Sequence, residues 1–117
     1  MNIEQLQEYC LSKKGAEETL PFGPDTLVYK VGGKMFLVTS LNNEDGLQFN
    51  VKCEPALAEE LRERYTCVQP GYHMNKQHWN TIVVDGSVNG RQLKEWIDDS
   101  YNLVVASLPK KLRNQFH

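Results

Sequence analysis

The segment from Thr26 to Leu41 restricts the fold of this chain more than any other. Two runs rich in β-branched and aromatic residues, Thr26–Val31 and Lys34–Leu41, flank the pair Gly32-Gly33. Glycine alone takes positive φ at two successive positions without steric cost, so the spacing predicts an antiparallel hairpin closed by a primed two-residue turn. Counting outward from that turn sets Lys30 opposite Met35, Tyr29 opposite Phe36, Val28 opposite Leu37 and Leu27 opposite Val38. Both faces of such a hairpin are apolar. Either helices cover both sides, or one side, with Val28, Met35 and Leu37, keeps an apolar patch for a partner.

The flanking segments supply the rest of a small domain. Asn2 suits the cap of a helix to about Lys14, in which Ile3, Leu6, Cys10 and Leu11 recur at helical spacing and Gly15 follows. Leu20–Asp25, with two prolines and a glycine, reads as a fixed non-helical crossing into the sheet. Beyond the turn Asn42–Gly46, Leu47, Phe49, Val51 and Cys53 alternate with Gln48, Asn50 and Lys52, the pattern of a strand with one wet face. Pro55 opens a second helix reaching Tyr65. A short strand near Cys67–Gln69 ends at Pro70-Gly71, a type II turn signal, and another strand covers Asn80–Asp85. Asn89 caps the last helix, with Gln92 reaching back, and Leu93, Trp96, Ile97, Tyr101, Val104, Val105 and Leu108 form its apolar stripe before Pro109. The order α-β-β-β-α-β-β-α predicts a single α+β domain over residues 1–117, two-layered, with an antiparallel sheet and helices mainly on one face.

Composition narrows the function classes. The chain has 117 residues, 40% apolar and 24% charged, an ordinary globular balance. It holds no apolar run near the ~18 residues of a membrane span, so no membrane role is expected. Glu4 and Glu8 near the start fit neither a signal nor a transit peptide, which points to the cytosol. Cys10, Cys53 and Cys67 are odd in number and widely spaced, and are expected to be reduced core hydrophobes. His73 and His78, five apart, come nearest to a metal-ligand spacing, and neither metal nor cofactor is expected. No nucleophile with a base, carboxylate pair or phosphate loop stands out, so the chain does not read as an enzyme. A Cys67–His73 dyad would need an exposed thiol, and the apolar run around Cys67 argues for the reverse.

The densest group of functional side chains is His73, Asn75, Lys76, His78 and Trp79, beside Tyr72 and with no acid from Val68 to Val84. Such a loop offers a cation, amides and an aromatic face to a phosphate or an unstacked base. The same residues equally suit a structural lock, with Trp79 in the core and Asn75 bonding its own turn. Lys30 and Lys34 straddle the hairpin turn, where lysines also serve solubility. Arg62 and Arg64, among Glu59, Glu60 and Glu63, read as a mixed-charge helix face. The segment 109–117 carries Lys110, Lys111 and Arg113 without an acid. Removing that +3 from the formal charge of −2 leaves −5 for residues 1–108.

Four stretches carry a family likeness: PFGPDTLVYKVGGKMF from Pro21, FNVKCEPALAEELRERY from Phe49, PGYHMNKQHWNTI from Pro70 and SYNLVVASLPKK from Ser100. Together they strongly resemble the MmcQ/YjbR family. The resemblance implies an α-β(3)-α-β(2)-α domain, similar in outline to frataxin-like (CyaY-like) and secretion-chaperone-like folds. It also implies DNA binding through two hairpin wings, which would make Lys30, Lys34, His73, Asn75, Lys76, Trp79, Lys110 and Lys111 the nucleic-acid contacts. The alternative is an adaptor or chaperone-like module that binds protein through the apolar hairpin face. The chain departs from the DNA-binding picture in being net acidic, and carries Glu54 where the family often has Asp before the proline.

Overall fold

In the computed structural model, which describes residues 1–42 and 44–116, the hairpin around Gly32-Gly33 forms as its glycines require. Strand β2 (Thr26–Val31) and strand β3 (Lys34–Ser40) are joined by Gly32 and Gly33 at φ 58° and 82°. The pairing then departs from simple counting. Lys30 faces Met35 as expected, but Tyr29 pairs with Leu37, Val28 with Val38 and Leu27 with Thr39. Phe36 is the extra residue of a β-bulge. A one-residue offset sends every later side chain to the opposite face, so Leu37 joins Tyr29 on one side and Val38 joins Val28 on the other.

The cause is visible in the helix layer. At the bulge the ladder between β3 and β4 (Gln48–Lys52) is interrupted, its pairs running from Leu37–Val51 to Thr39–Phe49. The next pair would join Phe36 to Lys52. Ser100, fully buried on the helix α3 (Gly90–Ser107), takes that place: its hydroxyl donates to the Phe36 carbonyl and accepts the Lys52 N–H at 2.8 Å. The bulge lets Phe36 and Leu37 both enter the core, where the Phe36 ring meets Tyr101 edge-on at 5.4 Å between centroids.

The sheet is wholly antiparallel, with β1 (Glu17–Thr19), β2, β3, β4, β6 (Trp79–Val83) and β5 (Val68–Pro70) in that spatial order. Strands β5 and β6 form a second hairpin, and β1 adds an edge strand beyond the expected five. Glu17, Glu18 and Thr19 lack any hydrophobic alternation, so only pairing with β2 reveals them as a strand. Both edges are three residues long, one acidic and one ending in proline, which discourages edge-to-edge association.

Helices α1 (Ile3–Leu11), α2 (Pro55–Arg64) and α3 pack on one face, as expected. A capping box between Asn2 and Gln5 starts α1, and Asn89 Oδ1 accepts the Gln92 N–H at 2.9 Å to start α3. The Gln92 side chain turns to Glu95 instead of back to the cap. Every residue of the expected α3 stripe is buried. Beyond Pro109 the chain makes one more short helix, α4 (Lys110–Arg113).

Replacing Ser100 with alanine removes both bonds at the bulge and strands a buried carbonyl and N–H. A loss of about 2–6 kcal/mol in urea-unfolding stability is expected, since each of the two unpaired buried polar groups costs about 1–3 kcal/mol. Unchanged stability would show that the bulge does not need its hydroxyl bridge.

Candidate functional site

Among the described residues, no helix covers the second face of the sheet. Val28, Val38, Thr81 and Trp79 project there, outside the main core cluster, and are buried; the segments 20–25 and 71–79 flank this face. Between these segments runs an open cleft of about 830 Å³. Thr26, Met35, Val38, Gln48 and Asn50 belong to its floor of strands, while Phe22, Tyr72, His73, Met74 and Trp79 come from its margins. Among the described residues, none lining it is a lysine, an arginine or an acid. Its volume lies in the range of ligand sites, about 300–1,000 Å³.

The apolar hairpin patch expected to receive a protein partner is not present in that form. Val28 and Leu37 are both fully buried, and the bulge has carried Leu37 to the helix side. Met35, half-buried, stays on the cleft face.

The 71–79 loop is held from within and from behind. Asn75 accepts the Gln77 N–H on Oδ1 at 2.9 Å, and its carbonyl receives the Trp79 N–H at 3.0 Å. Lys76 Nζ reaches the Gly71 carbonyl at 3.4 Å. From α2, Arg62 Nε donates to Asn80 Oδ1 at 2.7 Å, and Nη2 donates to the carbonyls of Trp79, at 3.2 Å, and Lys76. Arg62 is therefore the loop's anchor and not part of a solvated face; no feature of the EELRER run distinguishes it from Arg64, which lies over the Tyr65 ring at 5.6 Å. Asn75 takes the turn-locking role that its residue type allowed.

Pro70-Gly71 does not form the type II turn. Gly71 has no positive φ; its N–H extends the hairpin ladder to the Trp79 carbonyl at 2.9 Å. Glycine is needed there for proximity, because a Cβ would stand 2.8 Å from that of Trp79. The left-handed residue is instead His73, at φ 58°, whose ring lies 4.0 Å from that of Tyr72. A non-glycine residue in this region stores strain of about 1–3 kcal/mol, held here by the bonds around it. The imidazoles of His73 and His78 make no hydrogen bond among the described residues, and no group of three His, Cys, Asp or Glu side chains gathers there as metal ligands would.

Strand direction decides where the remaining candidates lie. The β2–β3 turn, the end of β4 and the β5–β6 loop share one end of the sheet, placing Lys30, Lys34, Lys52 and Lys76 there. The α3 helix arrives at the same end: Lys34 Nζ meets Ser107 Oγ at 3.4 Å, and Leu108 abuts the turn at Gly32. Lys110, Lys111 and Arg113 follow directly. None of these cations is within ion-pair distance of an acid among the described residues, where Lys13 and Asp98 do pair. Acids are also present at this end: Glu17 lies across from Lys30, and Glu54 shares a hollow with Asp99. The turns at the opposite end carry Asp25, Glu44, Asp45 and Asp85. The strand turns thus carry lysines at one end of the sheet and acids at the other.

The thiols are buried and free, as expected. Burial pushes Cys10 up to about 12 and Cys53 up to about 11. Cys67 is 1% exposed, so the Cys67–His73 dyad lacks its accessible nucleophile.

One antiparallel sheet of six strands backed by helices, with two hairpins closing at the same end, defines an α+β domain. The YjbR family model matches residues 11–103, and the chain belongs to the YjbR family. It is 35% identical over 114 residues to the Escherichia coli K12 protein described as "Uncharacterized protein YjbR", covering 97% of this chain and 95% of that one. It is 39% identical over 109 residues to the E. coli O157:H7 "Uncharacterized protein YbdF", covering 92% of this chain and 88% of that one. Among solved structures, Deinococcus radiodurans DR2400, with a DUF419 domain, superposes with a TM-score of 0.91 at 35% identity, over 98% of this chain and 87% of its own. A Pseudomonas syringae protein matches with a TM-score of 0.76 at 26% identity, over 89% and 99% respectively.

The Arg62 anchor generates a test. Arg62→Ala leaves Asn80, 1% exposed, without its charged partner, and should lower stability by about 1.5–3 kcal/mol while speeding hydrogen exchange at the His78 and Trp79 amides. Arg62→Lys should not restore either property, because one ammonium cannot reproduce the planar fork.

Proposed function

We propose that this chain is a non-catalytic nucleic-acid-binding protein that grips phosphate backbones with the basic end of its sheet. The observation that carries this reading is the convergence of Lys30, Lys34, Lys52, Lys76, Lys110 and Lys111 on one end, away from the acidic turns. A net charge of −2 is then no obstacle, because a polyanion meets the local field and not the sum. The two hairpins supply the wings: the Gly32-Gly33 tip is narrow, and the 71–79 loop is kept stiff by Arg62 and Asn75. Lys34 and Lys76, bonded to Ser107 and Gly71, are held in place for such contacts. The buried, high-pKa thiols support a binding role in preference to nucleophilic chemistry, and suit a reducing, cytosolic setting.

Fluorescence anisotropy with labelled DNA at increasing salt tests the proposal. For ~4 phosphate contacts the logarithm of affinity should fall against the logarithm of salt with a slope of roughly −3 to −4. Lys30→Ala and Lys111→Ala should each make that slope shallower by about 1. Absence of binding to single-stranded and duplex DNA at low salt would end this reading.

A further inference from the structure

We infer that the cleft on the helix-free face receives unpaired nucleobases, so that the protein prefers single strands to duplex. This rests on the phosphate-binding reading above and names the form of nucleic acid it would take. The cleft's chemistry is the argument. Phe22 and Tyr72 stand on its margins, 66% and 65% exposed, as large rings with no packing role that needs them there. Both sit on constrained backbone: Phe22 lies between Pro21 and Pro24, and Tyr72 precedes the left-handed His73, whose ring it meets. Exposed rings at a margin can serve as stacking platforms, and every base offers a π-face.

The floor supplies the complementary polar groups. The Gln48 side chain makes no hydrogen bond among the described residues, and Asn50 gives only Oδ1, to the Thr81 hydroxyl, which leaves its Nδ2 to donate. Carboxamides pair a donor with an acceptor and so match the edge of a base, whereas an apolar peptide side chain would leave them unsatisfied. The absence of lysine, arginine and acid from the described lining suits an uncharged ring and disfavours a phosphate within the cleft itself. Phosphates have their own place nearby, because the cleft's 72–79 margin is also the loop that carries Lys76 to the basic end. A base inserted between these margins cannot keep its Watson–Crick partner, hence the preference for single strands.

Two measurements separate this inference from the reading beneath it. The first compares a 12-nucleotide single strand with its duplex by anisotropy, for the parent and for a Phe22→Ala/Tyr72→Ala variant that alters only exposed side chains. The single strand should bind more tightly, and the variant should lose about fivefold or more on it while binding duplex as before. The second titrates adenosine and cytidine, which carry no phosphate, against the amide spectrum. Shifts should appear at residues 48–50 and 79–81, persist in high salt, and spare residues 32–34. Single strand and duplex bound alike, with the variant silent and no nucleoside shifts, would overturn the base cleft while a steep salt slope kept the phosphate reading. Nucleoside shifts without any salt-dependent oligonucleotide binding would do the opposite, keeping a base-binding cleft and removing the basic end. Shifts produced there by an uncharged acetyl-Leu-Phe amide and not by nucleosides would make the cleft a peptide groove and end the proposal.

Discussion

A bulge at Phe36, closed by the hydroxyl of Ser100, sets the character of both faces of the sheet. In a regular hairpin Leu37 would lie on the open side and Val38 among the helices. The additional residue exchanges them, and it admits two consecutive bulky side chains to the core where alternation would admit one. The exchange stabilises the helix layer through the Phe36–Tyr101 contact. It also leaves the open face with a valine pair and Met35 in place of a larger apolar patch. One hydrogen-bonding residue on α3 therefore governs packing on one side of the sheet and surface chemistry on the other.

The second organising contact is Arg62. Its guanidinium gathers the carbonyls of Lys76 and Trp79 and the side chain of Asn80, binding α2 to the β5–β6 hairpin. A loop rich in His, Asn, Lys and aromatic residues would otherwise sample many conformations. Fixed in this way, it can hold His73 in a strained backbone state and keep the Tyr72 ring above the sheet. The residues most suggestive of function are thus positioned by others whose hydrogen bonds lie within the fold. Some of the suggestive ones, Asn75 above all, are themselves part of the fixing.

Charge and polarity are distributed on the same plan. Cations collect where the hairpin tips and the end of α3 meet, acids collect at the opposite turns, and the cleft along the open face has no lysine, arginine or acid in its described lining. The proposed ligand, a polyanion with flat, uncharged side groups, is inferred from that arrangement part by part.

Local chemistry was enough to establish several features of this chain. Gly32-Gly33 dictates its turn because few other pairs tolerate positive φ twice. Asn2 and Asn89 cap their helices, and the α3 stripe buries itself, because these depend on neighbours within a turn or two. The family-bearing segments were legible for the same reason, being contiguous. What the tertiary structure alone decided depends on groups distant in sequence. The bulge follows from a serine 64 residues from Phe36, and the β1 edge from a partner strand without which its polar residues carry no pattern. Arg62 differs from Arg64 only in what stands opposite it. The convergence of lysines between residues 30 and 111 is a property of strand direction, and a cleft needs two margins that the chain itself keeps about 50 residues apart.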